Sequence, residues 1–226
     1  MRRKLIRIIA IFTGFLGLVI LLVTLVPILK YQIEARTKYP DLVSPLVDGA
    51  KEGFQKSLNT DYTKASNWFE SSEAGIDFKK SNISFYKISV PKLKIENATV
   101  SIGGEDLAES LIQFPGTALP GKVGNTVIFG HSILPIFYNP KNYLAIFSTL
   151  PSLKEGNEIF VEYDGITYKY IVESKFEVSP KDIQILDQDS SNSYLTLVTC
   201  TPPGHPLKPK RLIIRAKIVP IAQVSI

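Results

Sequence analysis

The sequence contains few of the residues that usually carry enzyme chemistry. Its 226 residues include one cysteine, two histidines and one tryptophan. A lone cysteine forms no intrachain disulfide, so the fold must be held by its own core. The sequence has no H-x-x-x-H pair and no glycine pattern of a phosphate-binding loop. We therefore expect neither a metal site nor a bound cofactor. We interpret Glu173, Glu177 and Asp182 as scattered surface carboxylates, which leaves a calcium requirement open.

The sequence also lacks an excess of basic residues outside its first thirty positions, although the formal net charge is +5. Residues 1–30 carry five basic and no acidic side chains, residues 31–82 carry seven and eight, and residues 83–226 carry fourteen and thirteen. A nucleic-acid surface needs basic side chains spread along one face. The charge distribution therefore argues against a nucleic-acid partner.

The longest apolar feature is the uncharged run from Ile8 to Leu29, which follows the basic segment MRRKLIR. Its 22 residues would form a helix about 33 Å long, enough to cross a hydrocarbon core of about 30 Å. A cleaved signal peptide is the alternative, but its apolar region is typically about 7–15 residues long, and no small-residue cleavage site follows here. We predict that residues 1–30 are a single-pass transmembrane helix with a cytoplasmic N-terminus, and that the remaining chain lies outside the cell.

A polar stretch with scattered prolines and glycines, residues 31–82, follows this anchor. We interpret it as an extracellular stalk that is partly helical, with a short helix starting near Ser44-Pro45. The single tryptophan, Trp68, lies in this stretch within Asn67-Trp68-Phe69. Trp68 either pins the stalk to the main domain, which we favour, or belongs to a segment that covers a substrate groove.

The sequence pattern of residues 83–220, short strand-like runs separated by turn signals, predicts one β-rich domain. Residues 221–226 form a short tail after it. Asp164-Gly165 between two strand-like runs predicts a type I′ hairpin, and EDLAESLIQFPG, residues 105–116, predicts a short helix. Alternation in ITYKYIVE and RLIIRAKIV predicts strands with one buried face. Seven or eight strands with one or two short helices predict a mainly β fold, a closed or half-closed antiparallel barrel. The strand-like runs are ISFYKISV, KLKIENATVSI, NTVIFG, EIFVEY, ITYKYIVE, SYLTLVTC and RLIIRAKIV.

Three residue types at the ends of these runs are suited to act together. His131 ends one run and Cys200 ends another, and both precede loops at what would be the rim of a barrel. A cysteine nucleophile needs a proton-transferring partner and donors for an oxyanion, and RLIIRAKIV supplies arginines from an expected neighbouring strand. Taken singly, a free cysteine is more often a small buried residue, and the histidine and arginines are more often structural. The functional interpretation therefore depends on their combination.

These motifs are similar to those of a known family. TLVTC, Thr196 to Cys200, resembles the T-L-x-T-C signature of sortases, the membrane-anchored cysteine transpeptidases of mainly Gram-positive bacteria. FPGTALPGKVGNTVIFGHS resembles the segment that carries the sortase histidine, and CTPPG followed by RLIIRAK resembles the cysteine-to-arginine hairpin. The resemblance extends from about Ile83 to Val219. It implies a closed eight-stranded sortase-type β-barrel.

The resemblance also implies roles for individual residues. Cys200 would be the nucleophile that forms a thioester with a Leu-Pro-x-Thr-Gly-like sorting signal, and His131 would be the acid and base. Arg211 would bind the substrate and the oxyanion, and Thr199 is a further candidate for oxyanion or substrate binding. Arg215 lies on the same predicted strand face but about 13 Å further along, and the family pattern favours Arg211.

The implied partners are surface proteins with a C-terminal sorting signal and an amine acceptor, either a cell-wall precursor or a pilin lysine. The subtype stays open, because the CTPPG turn is similar to that of pilin-polymerising sortases but the stalk lacks their Asp-Pro-aromatic lid motif. Alternatives from other classes are a membrane-anchored cysteine hydrolase or peptidase, and a non-enzymatic surface assembly module. His205 does not match the family histidine and is interpreted as a loop residue.

Overall fold

The structure, a computed structural model, describes residues 11–26, 29–30, 61–68, 85–188 and 191–220. The chain divides into two units, Met1–Lys38 and Tyr39–Ile226. In the first unit, residues 11–26 form an α-helix whose side chains are all exposed. Among the described residues, no helix has the length and apolar character that a membrane span requires. The predicted stalk helix near Ser44 and the tail lie outside the described residues.

In the second unit, eight strands form a closed barrel, as the resemblance implied. Around the barrel the strands follow the order β1-β2-β3-β4-β7-β8-β6-β5. The strands are β1 (Phe85–Val90), β2 (Ile95–Ile102), β3 (Leu111–Gln113), β4 (Gly124–Phe129), β5 (Glu158–Tyr163), β6 (Ile166–Val178), β7 (Ser193–Thr201) and β8 (Lys210–Ile218). Short 3-10 helices in the described ranges are Ala65–Trp68, Pro91–Leu93, Pro135–Phe137, Leu150–Ser152 and Ile183–Leu186.

The barrel mixes parallel and antiparallel pairs, so the predicted antiparallel barrel is wrong in part. β2 pairs with β3 and β4 pairs with β7 in parallel, whereas the other neighbours are antiparallel. A parallel pair needs a long connection, and the chain between β4 and β7 contains the whole β5–β6 hairpin. Because parallel strands end at the same edge, β4 and β7 bring the residues that follow them to one rim.

The predicted hairpin is confirmed. Asp164 and Gly165 have φ angles of 52° and 74° and connect the paired residues Tyr163 and Ile166. Positive φ at both central residues is the signature of a type I′ turn, whose twist matches that of the flanking strands.

The predicted helix over residues 105–116 is wrong. Its second half contains strand β3, whose three residues are all buried, and Asp106 forms an isolated bridge with Lys64. The Ser110 side chain is hydrogen-bonded to Ser101 at 2.7 Å. A surface helix buries a stripe with a period of about 3.6 residues, whereas consecutive buried residues fit a strand covered on both faces.

The strands around the candidate site are buried on both faces. All six residues of β4 are buried, and so are four consecutive residues of β8, Arg211 to Ile214. The single buried face predicted for RLIIRAKIV is therefore wrong. One face of these strands belongs to an apolar cluster in which Phe129, Val198 and Cys200 are joined by Trp68 from the stalk.

Candidate active site

The parallel β4–β7 pair brings the predicted histidine beside the predicted cysteine. The Gly130 N–H donates to the Val198 carbonyl at 3.1 Å, which extends the ladder past the end of β4. The Ser132 hydroxyl then donates to the Cys200 carbonyl at 2.7 Å. His131 lies between these two anchored residues, so its backbone is fixed at the rim where Cys200 ends the hydrophobic part of β7.

Thr199 contributes to the same junction. Its hydroxyl is fully buried and donates to the Gly130 carbonyl at 2.7 Å. That proton is therefore used between the two strands, and Thr199 aligns them in this structure. The contribution of Thr199 to oxyanion or substrate binding stays a prediction.

The antiparallel β7–β8 pair separates the two arginines. Arg211 lies directly opposite Cys200, as expected for a neighbouring strand, whereas Arg215 lies opposite Thr196. The Arg215 Nε lies 3.4 Å from the Thr196 hydroxyl oxygen, and its guanidinium lies 5.8 Å from the centre of the Tyr194 ring. Only the first of the two arginines therefore lies next to the thiol in the β7–β8 register.

The Arg211 guanidinium is buried and held by backbone carbonyls. Its Nε donates to the Trp68 carbonyl at 3.1 Å, and its Nη1 donates to the carbonyls of Lys208 and Lys210 at 2.9 and 3.2 Å. The Cζ atom also lies 5.4 Å from the centre of the Tyr62 ring and 5.6 Å from that of Trp68. A guanidinium keeps its charge at any working pH, and these contacts fix its orientation.

Trp68 lies over the candidate site. It is 0% exposed, and its ring stacks on Phe129 with centroids 5.3 Å apart and planes 10° apart. The His131 ring lies 5.8 Å away, and the indole N–H donates to the Tyr62 carbonyl at 2.9 Å. Trp68 therefore pins its segment to the barrel, as favoured from the sequence, and it does so at the candidate site. We call residues 61–68 the cover segment.

The cover segment is attached to the barrel by backbone hydrogen bonds. Its Ala65 N–H donates to the Glu105 carbonyl at 3.1 Å, and the Leu107 N–H donates to the Thr63 carbonyl at 3.0 Å. At its start, the hydroxyl and N–H of Thr63 donate to Asp61 and hold the pKa of that carboxyl below its ordinary value. The β2–β3 connection is therefore the docking site of this segment.

Burial under Trp68 changes the ionisation of His131. Its side chain is 5% exposed, and its Nε2 has no hydrogen-bond partner in the described part of the chain. Burial lowers the pKa of His131 to about 4; the positive charge of Lys208 acts in the same direction, and Asp106 and Asp61 oppose it. The imidazole is therefore neutral at neutral pH in this covered form.

His205 is a loop residue, as predicted. Its Nδ1 accepts a hydrogen bond from the Leu207 N–H at 3.1 Å, and its carbonyl accepts one from the Lys208 N–H at 3.2 Å. Burial lowers the pKa of His205. These contacts stabilise the β7–β8 loop, from which Lys208 reaches the Tyr62 ring at 4.8 Å.

The acidic residues noted in the sequence do not behave alike. Glu173 is exposed, but Glu177 is only 4% exposed, so its interpretation as a surface carboxylate is wrong. It is buried because β6 is covered on both faces at that position. Asp182 accepts a hydrogen bond from the Ser179 N–H at 2.9 Å. Within the described ranges, no three histidine, cysteine or acidic residues are grouped as a metal site would require.

Sequence reasoning missed several side chains of this site. Ser132 directly follows His131, and a hydroxyl beside a candidate histidine was a usable signal. Phe129 precedes the histidine by two positions and was assigned only to a strand. Tyr62 carried no signal, because its contact with Arg211 joins distant parts of the chain. Glu177 was interpreted only as a surface carboxylate, because its contact with Thr201 depends on a strand pairing that local patterns do not show.

The closed eight-stranded barrel is that of a sortase-type domain. A family model described as "Sortase domain" matches residues 88–219, which is more than half of the chain. The chain therefore belongs to the sortase family.

Individual relatives agree with this assignment. Sortase A from Streptococcus agalactiae serotype III (strain NEM316) is 25% identical over 140 residues, which are 62% of this chain and 51% of that protein. Sortase A from Staphylococcus aureus (strain NCTC 8325 / PS 47) is 29% identical over 131 residues, 50% of this chain and 60% of that protein. The chain thus spans little more than half the length of these curated relatives.

A solved structure shows the same fold. Sortase C-1 from Actinomyces oris has a TM-score of 0.53 and 24% sequence identity, and the match covers 86% of this chain and 98% of that chain. At this level of identity, the likeness establishes the fold alone.

Proposed function

We propose that this protein is a cysteine transpeptidase that cleaves a Leu-Pro-x-Thr-Gly-like sorting signal and transfers the cleaved protein to an amine. The observation that carries the proposal is the Cys200–Arg211 pair across β7 and β8, with His131 tied to the same rim. Acyl transfer needs a nucleophile, a donor for the oxyanion and a group that transfers protons. A thiol, a guanidinium and an imidazole supply these three functions, and membership of the sortase family supports the assignment.

The first half-reaction forms a thioester. The Cys200 thiol gives its proton to His131, and the resulting thiolate attacks the threonine carbonyl carbon while Arg211 donates hydrogen bonds to the oxygen that becomes negative. When the tetrahedral intermediate collapses, the C–N bond breaks, and protonated His131 gives its proton to the leaving glycine nitrogen. In the second half-reaction, neutral His131 accepts a proton from the incoming amine, whose nitrogen attacks the thioester and releases the Cys200 thiolate.

The covered form is a resting state in this proposal. The Nε of Arg211 is engaged by the Trp68 carbonyl, and a neutral His131 has no proton to give to a leaving group. The cover segment therefore moves aside when a peptide binds, and a substrate carbonyl replaces the Trp68 carbonyl on the guanidinium. The burial that lowers the pKa of His131 is relieved by the same movement.

An amine-transfer assay tests the reaction class. The full chain is incubated with a sorting-signal peptide, with and without triglycine, and the products are separated by mass. We expect the N-terminal peptide fragment to be joined to triglycine when the amine is present. A protein that releases only the free acid at every triglycine concentration would be a cysteine hydrolase. A protein that leaves the peptide intact would support the non-enzymatic surface module.

We further propose that the protein is anchored in the cell membrane with its barrel outside the cell. The support is the uncharged run from Ile8 to Leu29 and the exposed side chains of the helix over residues 11–26. The basic residues before this run favour a cytoplasmic N-terminus. In that location, surface proteins with a sorting signal are the donors, and a cell-wall precursor or a pilin lysine is the acceptor.

A further inference from the structure

A buried carboxylate lies behind the candidate cysteine and arginine. Glu177 on β6 is 4% exposed, and no other acidic side chain in the described part of the chain is buried. Burying a carboxylate is costly unless charged or hydrogen-bonding partners compensate it. The groups that contact Glu177 therefore indicate which role this buried carboxylate has.

Two partners of Glu177 flank the candidate pair in the sequence. The Thr201 hydroxyl donates to Oε1 of Glu177 at 3.0 Å, and the Lys210 Nζ lies 3.5 Å from Oε2. Thr201 directly follows Cys200, and Lys210 directly precedes Arg211. Thr201 and Lys210 also lie opposite each other in the β7–β8 ladder. The carboxylate thus contacts the immediate neighbours of both candidate residues.

The strand register puts these contacts on the face opposite to the candidate site. In the β6–β8 ladder, Glu177 lies opposite Leu212, and Val178 lies opposite Arg211. Consecutive side chains of a strand point to opposite faces, so Glu177 shares the face of Leu212, whereas Cys200 and Arg211 share the other. One carboxylate therefore connects β6, β7 and β8 from behind the thiol and the guanidinium.

We propose that Glu177 is a positioning residue for the transfer reaction. Because Glu177 holds Thr201 and Lys210, it fixes the backbone of β7 and β8 next to Cys200 and Arg211. It thereby fixes the distance between the Cys200 thiol and the Arg211 guanidinium. It touches no reacting atom and acts through Thr201 and Lys210. Rate depends steeply on such a separation, since a displacement of about 1 Å costs about 10²-fold. The inference rests on the proposed transpeptidase function.

The test variant is Glu177→Gln in the full chain. Glutamine keeps the volume and an acceptor for the Thr201 hydroxyl but loses the negative charge beside Lys210. We expect kcat for peptide transfer to fall about tenfold or more, with KM nearly unchanged. Glu173→Gln is the matched control, because Glu173 is an exposed carboxylate on the same strand. It should keep the wild-type kcat.

Thr201 variants separate positioning from general stability. Thr201→Val removes the hydroxyl at similar volume and should lower kcat, whereas Thr201→Ser keeps the hydroxyl and should retain it. The double variant Glu177→Gln/Thr201→Val should lose no more than the worse single variant, because the two side chains act as one unit. A lowered Tm with a wild-type kcat in Glu177→Gln would mean that the carboxylate serves the fold alone, and would overturn the proposal.

Alkylation of Cys200 by iodoacetamide gives a readout that needs no peptide. Its rate, followed by mass spectrometry on the folded protein, should change in Glu177→Gln and stay at the wild-type value in Glu173→Gln and Thr201→Ser. If the wild-type protein turns over no peptide, the proposed function fails. The alkylation rate then still tests whether Glu177 positions Cys200. Equal rates in all these proteins would then contradict the positioning role.

Discussion

Arg211 is a fully buried cation whose guanidinium is surrounded by backbone carbonyls and aromatic rings. Its Nη1 donates to the carbonyls of Lys208 and Lys210, just before it in the chain, and its Nε donates to the Trp68 carbonyl of the cover segment. A buried charge that loses a partner is costly, so a donor released by the cover needs a new acceptor. A substrate carbonyl or oxyanion supplies that acceptor in the proposed reaction.

The two arginines should differ in their effect on activity. Arg211→Ala is expected to lower kcat/KM for peptide transfer about 10²–10³-fold, because it removes the proposed oxyanion donor. Arg215→Ala should have an effect at least about tenfold smaller, since Arg215 lies opposite Thr196 rather than Cys200. Initial rates with one peptide and triglycine measure both. A larger loss in Arg215→Ala would mean that the other arginine carries the role.

The lowered pKa of His131 makes stability depend on pH. The ordinary value of 6.5 falls to about 4 in the folded chain, so the unfolded chain takes up the proton first as the pH drops. The free energy of unfolding is therefore highest above pH 6.5 and decreases between pH 6.5 and about 4, by about 3 kcal/mol from this residue. Urea unfolding of His131→Asn should lack this decrease. Parallel pH profiles for the two proteins would contradict a buried neutral imidazole.

The strands that carry the candidate site were predictable from the sequence, but the way in which they pair with other strands was not. The apolar runs ending in His131 and Cys200, and the run beginning at Arg211, correspond to β4, β7 and β8. Strand β3 was mistaken for helix, because three consecutive buried residues have no strand period. The parallel β4–β7 pairing and the contact between Trp68 and Arg211, 143 residues apart, are set by the closing of the barrel, which local patterns do not encode.

The cover segment is the element most open to direct testing. Trp68→Ala removes the ring that stacks on Phe129, so the cover segment should detach and carry the backbone carbonyl of position 68 away from the Arg211 Nε. His131 should then be exposed, its pKa should rise toward its ordinary value, and kcat/KM should increase. NMR titration of the His131 ring and initial transfer rates measure the two effects. Phe85→Ala, at an aromatic that is 60% exposed, is the control and should change neither. Lower activity with an unchanged His131 pKa would contradict a resting-state cover.

In the whole molecule, charge and hydropathy distinguish the proposed N-terminal membrane anchor from the barrel. All of the excess positive charge lies in residues 1–30, and residues 31–226 carry 21 basic and 21 acidic side chains. A variant lacking residues 1–30 should move from the membrane fraction to the soluble fraction and keep its rate of peptide transfer. Cell fractionation with an antibody to the barrel measures the first effect. A full-length protein that remains soluble would contradict the proposed anchor.

Cys200 forms a thioester with the substrate in the proposed reaction, and trapping that species is the decisive experiment. The full chain is mixed with a sorting-signal peptide, quenched in acid and digested, and the peptide containing Cys200 is examined by mass spectrometry. We expect the N-terminal substrate fragment to be attached to Cys200, to disappear on addition of triglycine, and to be absent from Cys200→Ala. Cleavage of the peptide at an undiminished rate by Cys200→Ala would contradict the proposed reaction.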